Sequence, residues 1–236
     1  FEADMKDHWL NYVRRNFPSG TDKVFGCWWV HIPSKLPGEG NPDGINWKHV
    51  WIQGATSGDD DICITQGGGT SWYTFGNCGP AAVYSGWNMG DEWSKGDWLR
   101  MTFYVEGGLT NGHYDWTILH EDGSKGSWDK DGKTWGPSAP LQYESIRFNG
   151  YGRQTSSCYP IFDDCYSAYG SNCRARVVIG NASTYGSCTD LAICGPTSWS
   201  STSITAKCNI GGLGGGTWYL FVIDGSGNAS GGYSVD

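Results

Sequence analysis

The chain has 236 residues, including 37 glycines, 14 tryptophans and 13 tyrosines, and a formal net charge of −8. This negative charge disfavours nucleic acid and anionic membranes as partners, because both repel an acidic protein. No apolar run approaches the ~20 residues that cross a bilayer, so we expect no membrane span. Abundant glycine and aromatic residues instead indicate an all-β protein, since aromatics favour strands and glycine favours tight turns.

The first twenty residues carry a helical pattern. Trp9, Tyr12, Val13 and Phe17 have roughly helical spacing, and the sequence Pro-Ser-Gly that follows ends the run. We expect residues 1–20 to form a short helix or an arm. Such a segment covers one end of the fold or docks onto a neighbouring subunit.

From Lys23 onward the pattern changes to short strands that end at Gly, Pro or Asp. The runs include VFGCWWVHI, INWKHVWIQG, WLRMTFYVEGG and HYDWTILHEDG. Many short strands without an alternating helical pattern predict a sandwich or barrel rather than a parallel α/β sheet.

Two segments of this region carry a family resemblance. The run WLRMTFYVEGGLTNGHYDWTILHEDG places Trp98, Arg100, Tyr104 and Trp116 on two strands of a hairpin, and Tyr143–Tyr169 places an R-x-N-G strand before an x-F-D-D-x-Y strand. Both segments resemble concanavalin A-like jelly rolls, the fold of many lectins, laminin-G-type modules and several polysaccharide lyases. The resemblance implies a jelly-roll β-sandwich over residues 21–172 and a glycan partner outside the cell.

A second β-rich unit is expected over residues 173–236, with strands at 175–179, 203–209, 217–223 and near Tyr233. Its phrases TSWSSTSITAKC and GGTWYLFVIDGSGNASGGYSV resemble IPT/TIG-type immunoglobulin-like modules. The resemblance implies a small Ig-like β-sandwich that acts as a spacer or adhesive unit. A unit this small needs to pack on the first domain or be stapled by disulfides.

Nine cysteines indicate an oxidising location, so we expect the protein to be extracellular or surface-exposed. The chain begins in polar sequence, and we expect that an export signal has been removed. Cys27, on a predicted strand, is expected to be buried and free, and the odd count leaves at least one thiol free or joined to another chain. The pairing is open, and the disulfide candidates are Cys63, Cys78, Cys158, Cys165, Cys173, Cys188 and Cys194.

Alternation along two strands predicts a polar groove. His49, Trp51 and Gln53 share one face of their strand, and Arg100 and Tyr104 share one face of another. An arginine would neutralise a uronate carboxylate while His or Tyr side chains exchange protons, which is the β-elimination chemistry of lyases on this fold. The motifs R-[ST]-E, Q-[IV]-H and Y-F-K-x-G-x-Y-x-Q of alginate-lyase-like members are absent, and a solvated sheet face explains the same residues. The catalytic candidates are His49, Gln53, Arg100 and Tyr104.

Other positions suit ligands of different kinds. Tryptophan stacks on sugar rings, and the glycan-binding candidates are Trp51, Trp116, Arg147 and Asn149. Asp129 and Asp131 of a D-x-D-G segment are weak candidates for a structural calcium, although a plain turn explains them equally, and no other cofactor is expected.

Asn181 and Asn228 each begin an N-x-S sequon and are glycosylation candidates, with chance occurrence as the alternative.

These observations favour a secreted or surface-exposed, non-catalytic structural or adhesive protein with a lectin-like glycan-binding fold. Self-assembly into a homo-oligomer or filament through the odd cysteine is a further expectation. The alternative is a polysaccharide lyase that cleaves an acidic glycan by β-elimination.

Overall fold

A computed structural model describes residues 13–31, 46–54, 61–66, 72–77, 87–88, 96–107, 112–132, 142–153, 160–210 and 214–235. Almost all regular structure in these ranges is strand, and every strand pairing is antiparallel. The predicted all-β class with a jelly-roll sandwich is therefore confirmed. No described helix has the length and apolarity that a membrane crossing needs.

The strands are, in chain order, β1 (Val13–Asn16), β2 (Lys23–His31), β3 (Asn46–Gly54), β4 (Asp61–Gln66), β5 (Trp72–Asn77), β6 (Trp87–Asn88), β7 (Trp98–Glu106), β8 (Gly112–His120), β9 (Lys125–Gly132), β10 (Tyr143–Arg153), β11 (Ile161–Tyr169), β12 (Arg176–Gly180), β13 (Leu191–Trp199), β14 (Ile204–Cys208), β15 (Trp218–Ile223) and β16 (Tyr233–Val235).

The strands form three sheets. The first sheet has the order β1-β10-β3-β4-β5-β6, the second β11-β2-β7-β8-β9, and the third β14-β13-β12-β15-β16. Consecutive strands such as β2 and β3, or β10 and β11, belong to different sheets. The chain therefore crosses repeatedly between the first two sheets, as a sandwich requires.

The main core lies between the first and second sheets. Val24, Trp28 and Val30 of β2 project into it, and Ile146 and Phe148 of β10 meet them from the opposite sheet. All five are almost fully buried. This inward set follows the two-residue period of a strand, which leaves the neighbouring residues on the outer face.

The third sheet packs on the outer face of the second. Leu119 of β8 belongs to one cluster with Val178, Leu191 and Phe221 of the C-terminal unit. In addition, the indole Nε1 of Trp29 donates a hydrogen bond to the carbonyl oxygen of Leu191 at 3.1 Å. The molecule is thus three layers deep at this point. The partition at residue 172 and the immunoglobulin-type character of residues 173–236 stay predictions.

The helical prediction for the N-terminal segment is wrong for residues 13–16. These residues form the edge strand β1, in which Val13 pairs with Phe148 and Asn16 with Ser145. Phe17, just beyond the strand, is buried in the main core. Pairing with an open sheet edge satisfies the backbone groups that an isolated helical turn would leave to water. Residues 1–12 lie outside the described part.

The third sheet contains one disulfide, between Cys194 and Cys208, which are direct cross-strand partners on β13 and β14. The disulfide candidate Cys194 is therefore confirmed, and its partner comes from the neighbouring strand. Cys208 lies within the strand predicted at 203–209.

Three disulfide candidates are wrong, since Cys165, Cys173 and Cys188 are free thiols, whereas the prediction that Cys27 is buried and free is confirmed. The side chain of Cys63, and Cys78 and Cys158 altogether, lie outside the described part.

Candidate functional site

The residues predicted to line a lyase groove are not brought together. Gln53 lies on β3 in the first sheet, whereas Arg100 and Tyr104 lie on β7 in the second. Their side chains lie on opposite sides of the main core, because Arg100 and Tyr104 face outward under the third sheet. The catalytic grouping of these residues is therefore wrong.

His49 does not share the face of Trp51 and Gln53. The register of β3 shifts at this residue, between Lys48 and Val50 against β4. Such a bulge adds a residue to one strand and reverses the side from that point on. The ring of His49 consequently lies in the main core, stacked on Phe162 with ring centroids 5.0 Å apart.

Inside the core, the Nε2 atom of His49 accepts a hydrogen bond from the indole Nε1 of Trp28 at 3.0 Å. Burial lowers the pKa of His49 from 6.5 to about 3. The ring is therefore neutral at physiological pH and has a structural role in this position.

Arg100 and Tyr104 are buried beneath the C-terminal unit. The hydroxyl of Tyr104 donates to the carboxylate of Glu106 at 2.9 Å, and the guanidinium of Arg174 lies 4.7 Å from the centroid of its ring. Burial, and then the hydrogen bond to Glu106, raise the pKa of Tyr104 well above its usual value. Neither side chain is open to a polysaccharide.

The outer face of the first sheet carries a compact polar cluster. Arg147 lies directly across from Trp51 in the ladder, and its guanidinium lies 5.2 Å from the centroid of the indole. The same guanidinium donates to the amide oxygen of Gln53, which the hydroxyl of Ser145 also approaches at 3.4 Å. The cation occupies a face of the indole that a sugar would need for stacking.

Two other glycan-binding candidates are wrong because they are buried. Trp116 is 1% exposed and packs edge-on against Phe103 in the main core. Asn149 is 4% exposed and takes a positive φ of 57° at a register shift of β10. A sugar has no access to either side chain.

A different site lies between the second sheet and the C-terminal unit. It is a cavity of about 450 Å³, within the usual range for a small-ligand pocket. We call it the inter-sheet groove, and its lining residues are Trp29, Trp98, Glu121, Asp163, Asp164, Asn181, Thr189, Asp190, Leu191, Ala192 and Asn209.

The jelly-roll wall of the inter-sheet groove is aromatic and acidic. Trp29 and Trp98 are half-buried, and Trp98 packs edge-on against His31 with centroids 5.4 Å apart. Asp163 and Asp164 belong to β11, where the register against β2 shifts between Asp163 and Tyr166. The bulge gives Asp164 a positive φ of 47°, a conformation that Asp tolerates better than most residues.

The opposite wall is held by the side chain of Asn181. Its amide oxygen accepts hydrogen bonds from the backbone N–H groups of Thr189 and Asp190, at 3.0 and 3.1 Å, and its amide nitrogen donates to the hydroxyl of Thr189 at 2.9 Å. Across the groove, the amide of Asn209 reaches the carboxylate of Asp164 at 3.5 Å. The Asn181 wall is therefore held by three hydrogen bonds, and a single long contact joins Asn209 to the acidic wall.

Two carboxyl groups of the groove have perturbed acidity. Burial, and then the neighbouring carboxylate of Asp163, raise the pKa of Asp164. Burial alone raises the pKa of Asp190. Burial disfavours the charged form of both carboxyl groups, and a bound cationic group would favour it.

One described cluster has donor atoms suited to a metal. Single ligand atoms of His113, Asp115 and Asp129 lie within 4.8 Å of one another on β8 and β9. Calcium takes six to eight oxygen ligands, whereas this set has one nitrogen, and Arg174 already pairs with Asp115 at 3.1 Å. The structural calcium predicted at Asp129 and Asp131 stays a prediction. Asp131 is the ladder partner of His113, but its side chain lies outside the described part.

The two sequon asparagines lie in turns of the C-terminal unit. The side chain of Asn181 forms hydrogen bonds with Thr189 and Asp190. The amide nitrogen of Asn228 donates to the carboxylate of Asp224 at 3.1 Å. Both residues are exposed, and their glycosylation stays a prediction.

Sequence reasoning missed the inter-sheet groove as a site, although two signals were present. The pair Asp163-Asp164 stands out in the F-D-D-C-Y run, and Trp29 follows a core tryptophan on the same strand. No local sequence pattern, however, predicts that Trp29 contacts Leu191, because Leu191 lies 162 residues further along the chain.

No protein-family model and no curated protein matches the chain. Several solved structures, including the three that follow, have a similar backbone. The PL-14 alginate lyase from Aplysia kurodai is 10% identical with a TM-score of 0.46, over 65% of this chain and 72% of that chain. The heptameric SAP-like pentraxin from Limulus polyphemus is 11% identical with a TM-score of 0.36, over 70% and 74%. A seed lectin from Lotus tetragonolobus is 8% identical with a TM-score of 0.33, over 72% and 79%. All three TM-scores are too low to carry an argument about ligand or activity.

Proposed function

We propose that this protein is an extracellular or surface-exposed carbohydrate-binding protein whose ligand occupies the inter-sheet groove. The observation that supports this most directly is the pairing of two half-buried indoles, Trp29 and Trp98, with the carboxylates and amides of the same cavity. Indole faces stack on the C–H groups of a sugar, and carboxylate and amide groups bond its hydroxyls.

The proposed role is binding without turnover, in an adhesive or structural setting. The Ig-like C-terminal unit would contribute one wall of the site as well as acting as a spacer. The lyase alternative loses its support because His49 is in the core and Arg100 is covered. An anionic polysaccharide would in addition meet a groove lined by carboxylates.

Self-assembly through the odd cysteine is the weaker part of this proposal. Among the described free thiols only Cys165 belongs to an exposed residue. Desolvation of its sulfur raises the pKa of Cys165 to about 12, which keeps the thiol protonated and slow in disulfide exchange. We therefore expect Cys165→Ser to leave the sedimentation coefficient of the protein unchanged.

The test is a binding titration against a panel of neutral, amino and uronate oligosaccharides, with Trp98→Ala and Trp199→Ala as matched variants. Both tryptophans are accessible, but Trp199 lies on β13 away from the groove. We expect Trp98→Ala to weaken binding about tenfold, which corresponds to about 1.4 kcal/mol, and Trp199→Ala to leave affinity unchanged.

Two results would count against the proposal. One is the absence of binding to any member of the panel, and the other is an equal effect of the two tryptophan variants. Ultraviolet absorbance of an unsaturated uronate, or release of new reducing ends, would show turnover and contradict the non-catalytic role.

A further inference from the structure

The inter-sheet groove has an unbalanced charge. Four carboxylates line it: Glu121 in the turn after β8, Asp163 and Asp164 on β11, and Asp190 just before β13. The described residues that line the groove include no lysine or arginine. Carboxylates from both walls thus face one cavity, and among the described lining residues no cation balances them.

The hydrogen bonds that these carboxylates accept come from neutral donors. Glu121 accepts from the backbone N–H of Trp98 at 3.3 Å, and Asp163 accepts from the N–H of Asp164 at 2.8 Å. Asp164 receives only the long contact from Asn209. None of the four forms an ion pair with a described residue.

The guanidinium of Arg100 is a buried cation on the strand next to Trp29, its partner in the ladder. It acts on Asp164 in the direction that lowers its pKa, but burial and Asp163 outweigh it, so the net shift is upward. Arg100 therefore does not offset burial and the neighbouring carboxylate at Asp164.

We infer that the groove selects glycans that carry a free ammonium group, such as glucosamine oligosaccharides, over N-acetylated and uronate-containing ones. This inference rests on the proposed function and adds its ligand class. The indoles of the groove would stack on the sugar ring, while the ammonium group would donate charge-assisted hydrogen bonds to the carboxylates. Acetylation removes the charge and keeps the ring, so the two forms make a matched pair of ligands.

The experiment is isothermal titration of the whole protein with a glucosamine oligosaccharide, its N-acetylated counterpart and an oligouronate of equal length. We expect the free amine to bind at least tenfold more tightly than the acetylated form. We also expect this ratio to fall to about threefold or less in Asp190→Asn, and to shrink at high salt as screening predicts.

Glu144→Gln is the charge-matched control, since Glu144 is exposed on β10 outside the groove, and it should preserve the ratio. Asp163→Asn is a second groove variant in case Asp190→Asn melts at a lower temperature. Equal affinity for the two forms, or tightest binding of the oligouronate, would overturn the inference and leave the proposed function standing. No binding of any of the three would overturn both.

Discussion

The buried histidine His49 gives a quantitative prediction about acid stability. Its pKa is about 3 in the folded protein and 6.5 as an ordinary value. The unfolded chain therefore binds a proton in the range between these values and the folded chain does not. Stability is fully present above pH 6.5 and is lost progressively as the pH falls.

The size of the loss follows from the width of that range. Each pH unit below 6.5 costs about 1.36 kcal/mol, so lowering the pH to about 5 removes about 2 kcal/mol of unfolding free energy through this one ring. The figure does not depend on the folded pKa as long as that value stays well below 5. It is a large share of the usual stability of a domain.

The assay is urea unfolding near pH 7 and near pH 5, applied to the wild type, His49→Gln and His31→Gln. Glutamine keeps an acceptor for the indole of Trp28 but does not titrate. Between pH 7 and pH 5, we expect the unfolding free energy to fall by about 2 kcal/mol less in His49→Gln than in the wild type. His31, which is half-buried at the end of β2, serves as the control.

The comparison uses the difference between two pH values within each variant, so a general destabilisation by His49→Gln cancels. If His49→Gln loses as much stability on acidification as the wild type, the reasoning from burial is refuted.

Three further predictions concern stability, and each can be checked by denaturant unfolding. Replacing Cys194 and Cys208 by serine should cost about 3 kcal/mol, because the bridge closes a loop with a sequence separation of 14; an unchanged midpoint would contradict this. Gly180→Ala should cost about 1–3 kcal/mol, since the new Cβ would lie 2.6 Å from a cysteine sulfur. Gly186→Ala, with open space around it, should cost less than about 0.5 kcal/mol, and equal effects would count against the packing argument. Asp115→Asn should cost about 1 kcal/mol by removing the partner of an arginine 3.1 Å away; a gain in stability would show that the pair is unfavourable.

The strand content and the sandwich class could be predicted because both rest on local patterns. In β2, Val24, Trp28 and Val30 alternate with residues of the outer face, and the sequence shows this period directly. In the C-terminal unit, three of the four predicted strands fall within one residue of β12, β14 and β15.

Bulges explain the main errors about the site. The register shift at His49 moves this residue from the predicted outer face into the core. The sequence around His49 contains no pattern that indicates the shift. Strand β13 was not predicted because Gly195 and Pro196 indicate a turn. The strand continues through them with a register shift between Pro196 and Ser198, a position where proline is tolerated.

The inter-sheet groove could not be predicted from sequence patterns because its walls come from distant parts of the chain. Trp29 and Asp163 come from one unit, and Asn181 and Asp190 from the other. Periodicity places each residue on a face of its own strand, but packing between layers decides which faces meet.

The division of this groove between two units constrains how such a protein can evolve. If recombination moved the C-terminal unit onto another jelly roll, Asn181 and Asp190 would travel with it, but Trp29, Asp163 and Asp164 would stay behind. Neither part alone would carry the complete groove, so a gene fusion that separated the two would lose one of its walls. Conversely, if a ligand contacts both walls, selection would favour inheritance of the two units together.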